Sequence, residues 1–282
     1  HTRPDLLCPV SMLASHCCAP SEWYLQQARQ VVHYVKATRE LRILFKYQGN
    51  EELKLFASAD GSFNNEQDGR GRTGMCFSIE QDSGMFYSKS SRQTYVGLSS
   101  TESEVIALSE CTKQVVYLRR VLAYIGFIQG GPTFVQQDND SCISLINDST
   151  SGSFDKRRHI DPKLFHSRDE VMRQSIALFK TDSADMCSDL LTKWKTGTPL
   201  VYSRNHMLGI TYEDAIAIHS NPQVITINVI MMSIVPESIG STDLESDVNT
   251  GPNATEDEDQ DQASDGNQSV VQDVIQAALD NL

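Results

Sequence analysis

The chain has 282 residues, a formal net charge of −13 and 39% hydrophobic residues, which allows one or two domains around a real core. Such a charge argues against a nucleic-acid partner, but it is unevenly spread. All 24 Lys and Arg fall in residues 1–204 with 23 of the 37 Asp and Glu, while residues 205–282 hold 14 acids and no base. The acidity belongs to the tail, so the remainder, with a net charge of +1, is not excluded from binding a phosphate backbone.

Seven cysteines (Cys8, Cys17, Cys18, Cys76, Cys111, Cys142 and Cys187) are scattered without a C-x-x-C or a His at zinc spacing. They read as free, mostly buried thiols of a reducing compartment. The longest apolar run, Val224 to Val235, is too short to span a bilayer and is interrupted by Thr226 and Asn228. With no signal peptide, the chain reads as soluble and intracellular, with no membrane partner.

Taken in order, residues 1–20 look cut from something longer, since His1 is not a start residue. Ser21 caps a helix through Trp23, Leu25, Ala28, Val31, Val32 and Val35 that ends near residues 36–39. Leu53, Leu55, Ala57 and Ala59 alternate with Lys54, Phe56 and Ser58 in a strand that ends at Asp60. Met75, Phe77 and Ile79 define a second strand, and a turn at Gln81 to Gly84 leads to a third at Met85 to Ser88. Three strands joined this way form an antiparallel meander. The longest helix runs from about Ser100 to Ile125, with Ser99–Glu102 and Thr101–Glu104 fitting a capping box equally well.

Thr133 to Asp138 reads as a short strand, and Asp140 or Ser141 caps a brief helix through Ile143 and Ile146. A helix with Leu164, Phe165, Val171 and Met172 follows, then a strand at Ser175 to Thr181. Ser183 or Asp185 starts a last helix with Met186, Leu190 and Leu191. The order implies a mixed sheet with helices on its faces, an α/β protein. Residues 240–268 are acidic, lack aromatic residues and read as disordered. Ser269 to Leu282 reads as a short amphipathic helix.

The long helix poses the functional question. Leu108, Cys111, Val115, Leu118, Leu122 and Ile125 share one face, and stepping back four residues from Leu108 reaches Glu104. A carboxylate in line with an apolar stripe either caps the helix or faces a cation at the edge of a core. Asp60 and Asp138 end strands, where ligand crevices form in open sheets, and Asp189 lies one turn into a late helix. Each acid also has a plain explanation as a turn or surface residue. Together they would form a four-carboxylate cluster that stays ionised only with cations, and its oxygen donors select hard ions.

The segments Asp60-Gly61-Ser62-Phe63, Leu98 to Ser109 (LSSTESEVIALS), Gln137-Asp138-Asn139, His159-Ile160-Asp161 and Ser188-Asp189-Leu190-Leu191-Thr192-Lys193 resemble, in order, the motifs of the ribonuclease H region of copia-type LTR-retrotransposon polyproteins. The segment His1-Thr2-Arg3-Pro4-Asp5 with the helix through Val31 to Lys36 resembles the end of the reverse transcriptase just before it. The resemblance covers about residues 1 to 210. It implies a ribonuclease H-like fold, a five-stranded mixed sheet flanked by helices. It also implies cleavage of the RNA strand of an RNA–DNA hybrid with two Mg²⁺ ions, Mn²⁺ being able to substitute. The Asp-Glu-Asp-Asp set carries over onto Asp60, Glu104, Asp138 and Asp189 as catalytic and metal-binding residues. Glu104 rather than Glu102 matches, because Val105-Ile106-Ala107-Leu108 follows it.

The chain departs from that pattern at several points. The first motif has one Asp where Asp-Ala-Asp-Trp is frequent, and Trp194-Lys195 replaces the usual Pro-Leu. No His lies between Thr181 and Asp189, where cellular ribonucleases H carry one. Lys156, Arg157, Arg158 and His159, together with Lys89 and Arg92, are the candidate phosphate contacts, and a solvated helix start is the alternative for the first four. The resulting organisation is a reverse-transcriptase remnant (1–50), a ribonuclease H-like domain (51–210) and an acidic tail (211–282). The expected partners are an RNA–DNA hybrid and the reverse transcriptase portion of the polyprotein, in a cytoplasmic virus-like particle or the nucleus, with no small-molecule cofactor. A decayed, inactive element and a non-catalytic hybrid-binding module are the rival readings.

Overall fold

In a computed structural model, the structure describes residues 2–19, 21–46, 53–66, 68–147, 161–211 and 214. These lie within one compact unit, His1–Val224. The cluster Lys156, Arg157, Arg158 and His159, and the tail assigned to disorder and a terminal helix, lie outside the described residues, Thr211 and Asp214 excepted.

Period-two alternation gives the strands β1 (Leu55–Ser62), β2 (Arg72–Ile79) and β3 (Met85–Arg92). Short connections force them into an antiparallel meander. β4 (Thr133–Gln137) and β5 (Ile176–Lys180) then add in parallel on the other side of β1, giving a sheet in the order β3-β2-β1-β4-β5. This strand order, with its antiparallel meander and parallel extension, is the ribonuclease H-like fold.

The two faces of the sheet carry separate cores because alternate residues point opposite ways. Leu55, Ala57, Ala59, Met75, Phe77 and Val135 pack with Val105, Leu108, Cys111 and Val115 of α3 (Ser100–Tyr124) and with residues of α4 (Asp140–Asn147) and α5 (Asp161–Met172). The apolar stripe of α3 is thus buried as its spacing implies, though Ile125 at its end is exposed. On the opposite face Cys76 and Met85 meet Cys187, Leu190, Leu191 and Met207. Ser99 caps α3 by accepting from the Glu102 N–H at 3.2 Å, while Glu102 accepts from the Leu98 N–H. The Ser99–Glu102 pairing therefore forms the cap, which leaves Glu104 free of capping.

Three details differ from the sequence reading. β1 does not end at Asp60, because Gly61 and Ser62 keep pairing with Thr73 and Arg72 of β2 after the parallel partner β4 has stopped. The late helix is two 3-10 turns, Ser183–Asp185 and Cys187–Leu191, separated by an extended Met186 at φ −72°, ψ 110°. The helix expected after Ser21 forms as α2 (Glu22–Ala37), capped by Ser21, which accepts from the Tyr24 N–H at 3.4 Å, with Trp23, Leu25, Val32 and Val35 exposed. That helix docks through Tyr34, whose hydroxyl donates to Asp5 at 2.6 Å, while Arg3 pairs with Asp5 at 2.7 Å.

The third difference is that two helices were not anticipated, α1 (Leu7–Ala14) and α6 (Gly197–Leu208). Pro199 sits in the first turn of α6, where its missing N–H costs nothing. Gly209 ends α6 at φ 69°, a left-handed position where a Cβ would lie 2.4 Å from the Gly84 nitrogen. Among the described residues no helix is long and apolar enough to cross a membrane. All seven cysteines are free, and only Cys17 and Cys18 are exposed.

Candidate active site

β1 and β4 run parallel with Ser58 beside Gln136. Continuing that register by two residues sets Asp138 beside Asp60. α3 crosses this end of the sheet so closely that a Cβ on Gly61 would lie 2.3 Å from the Ser103 carbonyl oxygen. That approach delivers Glu104. One carboxylate oxygen from each of Asp60, Glu104 and Asp138 lies within 4.8 Å of the others, with Asp60 and Glu104 buried and Asp138 half-buried.

The surroundings fix these groups. Glu104 Oε2 accepts from the Gly61 N–H at 2.9 Å and from Gln137 Nε2 at 3.4 Å. Gln137, fully buried, also accepts through Oε1 from the backbone N–H of Asp138 at 2.8 Å and of Asn139 at 3.1 Å. Asp138 accepts from Ser183 Oγ at 2.7 Å, and Asp60 from Thr192 Oγ1. Sequence reasoning missed Gly61, Gln137, Ser183 and Thr192 as site residues. Gly61, Gln137 and Thr192 lie within the motifs already singled out, which was the available signal.

Burial first, then Asp60 and Asp138, push Glu104 up to about 9, against the Gly61 and Gln137 hydrogen bonds. Burial likewise raises Asp60, against Lys193 and Thr192 and with help from Asp189 and Asp138. Three crowded carboxyls at neutral pH thus hold a proton or need a cation. The donors are all oxygen, which fits a hard divalent ion. Within this set, Asp60, Glu104 and Asp138 are the residues placed to hold one.

Asp189 stands apart from that trio. It is buried on the Cys187–Leu191 turn, and its two oxygens take Lys193 Nζ and, at 2.6 Å, Lys195 Nζ. Lys89 is exposed on the edge strand β3, and Arg92 pairs with Asp68 at 3.2 Å.

The fold and the three-carboxylate cluster define the class as a ribonuclease H-like α/β protein. No family model matches the chain. The chain is 27% identical over 193 residues to the Retrovirus-related Pol polyprotein from transposon TNT 1-94 of Nicotiana tabacum, covering 68% of this chain and 14% of that protein. It is 26% identical over 196 residues to the Transposon Ty1-JR1 Gag-Pol polyprotein of Saccharomyces cerevisiae, covering 68% and 11%. It is also 32% identical over 117 residues to Secreted RxLR effector protein 161 of Plasmopara viticola, covering 42% of this chain and 80% of that protein. The chain therefore spans only about a seventh or less of the two polyproteins. Solved structures of LC11-RNase H1, isolated from compost, match at 12% identity with a TM-score of 0.39 (49% of this chain, 92% of that one), and in complex with RNA/DNA hybrid at 10% and 0.38 (49% and 94%). The strand order, not these superpositions, defines the fold. Over about two thirds of its length the chain is thus similar to Pol polyproteins of retrotransposons.

Proposed function

We propose that the chain is the ribonuclease H region of a copia-type element and hydrolyses the RNA strand of an RNA–DNA hybrid endonucleolytically during reverse transcription. The observation that carries this is the convergence of Asp60, Glu104 and Asp138 within 4.8 Å at one end of the sheet. Bound Mg²⁺, or Mn²⁺ in its place, would polarise the scissile phosphate and supply a nucleophilic water at neutral pH. The chain's own residues prepare that position. Gly61 and Gln137 hold one Glu104 oxygen so that the other is available, and Ser183 orients Asp138. A pair of ions further requires a ligand from Asp189. Lys89 and Arg92 supply phosphate contacts, joined by Lys156, Arg157, Arg158 and His159. Choice of the RNA strand rests on 2′-hydroxyl and groove-shape recognition.

In this reading residues 1–50 are the end of the reverse transcriptase and residues 51–210 the nuclease. The acidic tail begins at 211, the partner is the polymerase portion of the polyprotein, and the setting is intracellular. The test is to incubate the full chain with an end-labelled RNA–DNA hybrid and Mg²⁺. Internal cuts in the RNA strand, lost with EDTA and in Asp138→Asn, are expected. Cutting that survives both treatments would remove the metal-dependent reading, and a folded chain that never cuts would favour a non-catalytic module.

A further inference from the structure

The segment after Asp189 is fastened so that positive charge lies beside the carboxylates. The Lys193 N–H donates to the Asp189 carbonyl at 3.1 Å, closing one turn, and Thr192 Oγ1 ties that turn to Asp60 on β1. Lys193 is thereby folded back over Asp189, and its ammonium also lies in the field of Asp60 and Asp138. Lys195 takes the second Asp189 oxygen at 2.6 Å, with 16% of its side chain exposed against 49% for Lys193. Both Asp189 oxygens are therefore held by ammonium groups, whereas among the described residues no ammonium pairs with Glu104. A divalent ion approaching Asp189 meets two positive charges and must displace at least one.

We propose that Lys193 and Lys195 hold the place of a second divalent ion. The free protein then takes one ion on Asp60, Glu104 and Asp138, and Asp189 becomes a ligand only when Lys193 leaves it. This rests on the metal-dependent reading above. Lys193, half-exposed on a flexible stem, is the lysine that swings away, and Lys195 remains to keep the buried carboxylate paired. The lysines act on the site through Asp189, so they are positioning residues that set how many ions the protein holds before substrate arrives.

The test is calorimetric titration of the full chain with Mn²⁺, without nucleic acid, on the unaltered chain, Lys193→Met, and Lys193→Met combined with Asp189→Asn. Melting curves in EDTA show whether each variant is folded, and Lys193→Gln serves if Lys193→Met is not. One ion is expected for the unaltered chain. Lys193→Met should bind two, its second site tightened by about tenfold or more through loss of a competing charge, and adding Asp189→Asn should return it to one. Two ions on the unaltered chain, or one on every variant, would overturn the proposal while leaving the metal-dependent reading intact. No ion on any variant would overturn both.

Discussion

The backbone N–H of Gly61 donates to Glu104 Oε2 at 2.9 Å, which joins the residue after one candidate ligand to the carboxylate of another. The bond exists because α3 can lie against β1, and only a residue without a Cβ permits that. In Gly61→Ala the methyl would meet the Ser103 carbonyl at 2.3 Å and the Glu104 nitrogen at 2.8 Å, both backbone atoms. Overpacking of this kind costs about 1–3 kcal/mol, and Glu104 would be pushed from Asp60. Melting of the variant should drop accordingly, and Mn²⁺ should stabilise it less than the unaltered chain. An unchanged melting curve would show that α3 has slack here.

Glu104 also makes stability depend on pH. Unfolded, its carboxyl ionises near 4.5; folded, burial and the neighbouring Asp60 and Asp138 raise that to about 9. Between those values the folded state keeps a proton that the unfolded state has released. This contribution to stability is therefore full below pH 4.5 and falls as pH rises toward 9, with Asp60 acting in the same direction. In EDTA the melting temperature should decline across pH 5 to 9, and Glu104→Gln should flatten the decline. Mg²⁺ should offset it most at the alkaline end, where it competes with fewer protons. A Glu104→Gln profile as steep as that of the unaltered chain would place the effect elsewhere.

Gln137 links two of the candidate ligands through one buried amide. Its Oε1 holds the N–H groups of Asp138 and Asn139, and its Nε2 faces Glu104. Gln137→Met keeps the volume but strands both N–H groups, at a cost of roughly 1–3 kcal/mol. The fold should survive, and the melting shift produced by Mn²⁺ should shrink several-fold because Asp138 and Glu104 lose their common support. A full Mn²⁺ shift in a destabilised variant would reduce Gln137 to a structural role.

Much of this was legible in the residues, because Leu55, Ala57 and Ala59, then Met75 and Phe77, recur at every second position and Leu108, Cys111 and Val115 step at helical spacing into Glu104. What the spacing hid has physical causes. Asp60 looked like a strand end because Gly61 is a good turn residue, yet pairing with β2 carries the strand through Ser62. The Asp182 to Leu191 stretch has helix-like apolar spacing, but extended Met186 splits it into two tight turns, and that local geometry leaves no period to detect. The helix after Ser21 was legible, but not how it docks: Trp23, Val32 and Val35 are exposed, and docking is done by the Tyr34–Asp5–Arg3 polar link. The lysines on Asp189 were visible in Thr192-Lys193-Trp194-Lys195, but nothing in the sequence says that both reach back to the same carboxylate.

Hybrid binding separates the two basic residues of β3. Both are exposed on the edge strand, but Arg92 is already paired with Asp68 at 3.2 Å, a surface interaction of about 0–1 kcal/mol. Lys89 is the freer charge of the two, since Glu110, the acid it acts on, hydrogen-bonds to Lys113. A phosphate contact contributes to the salt dependence of binding, with the logarithm of affinity falling by about 0.9 per neutralised phosphate per decade of salt. Lys89→Ala should therefore weaken hybrid binding at low salt and make the slope shallower by about one unit. Arg92→Ala should do less, because binding through Arg92 first requires giving up Asp68. Asp68→Ala should strengthen binding modestly by releasing Arg92. The measurement is hybrid affinity by fluorescence anisotropy across a salt series in Ca²⁺ or EDTA, so that cleavage does not intervene. Parallel slopes for all four proteins would mean that the hybrid does not touch β3, and a larger loss for Arg92→Ala than for Lys89→Ala would show that the Asp68 pair opens at little cost.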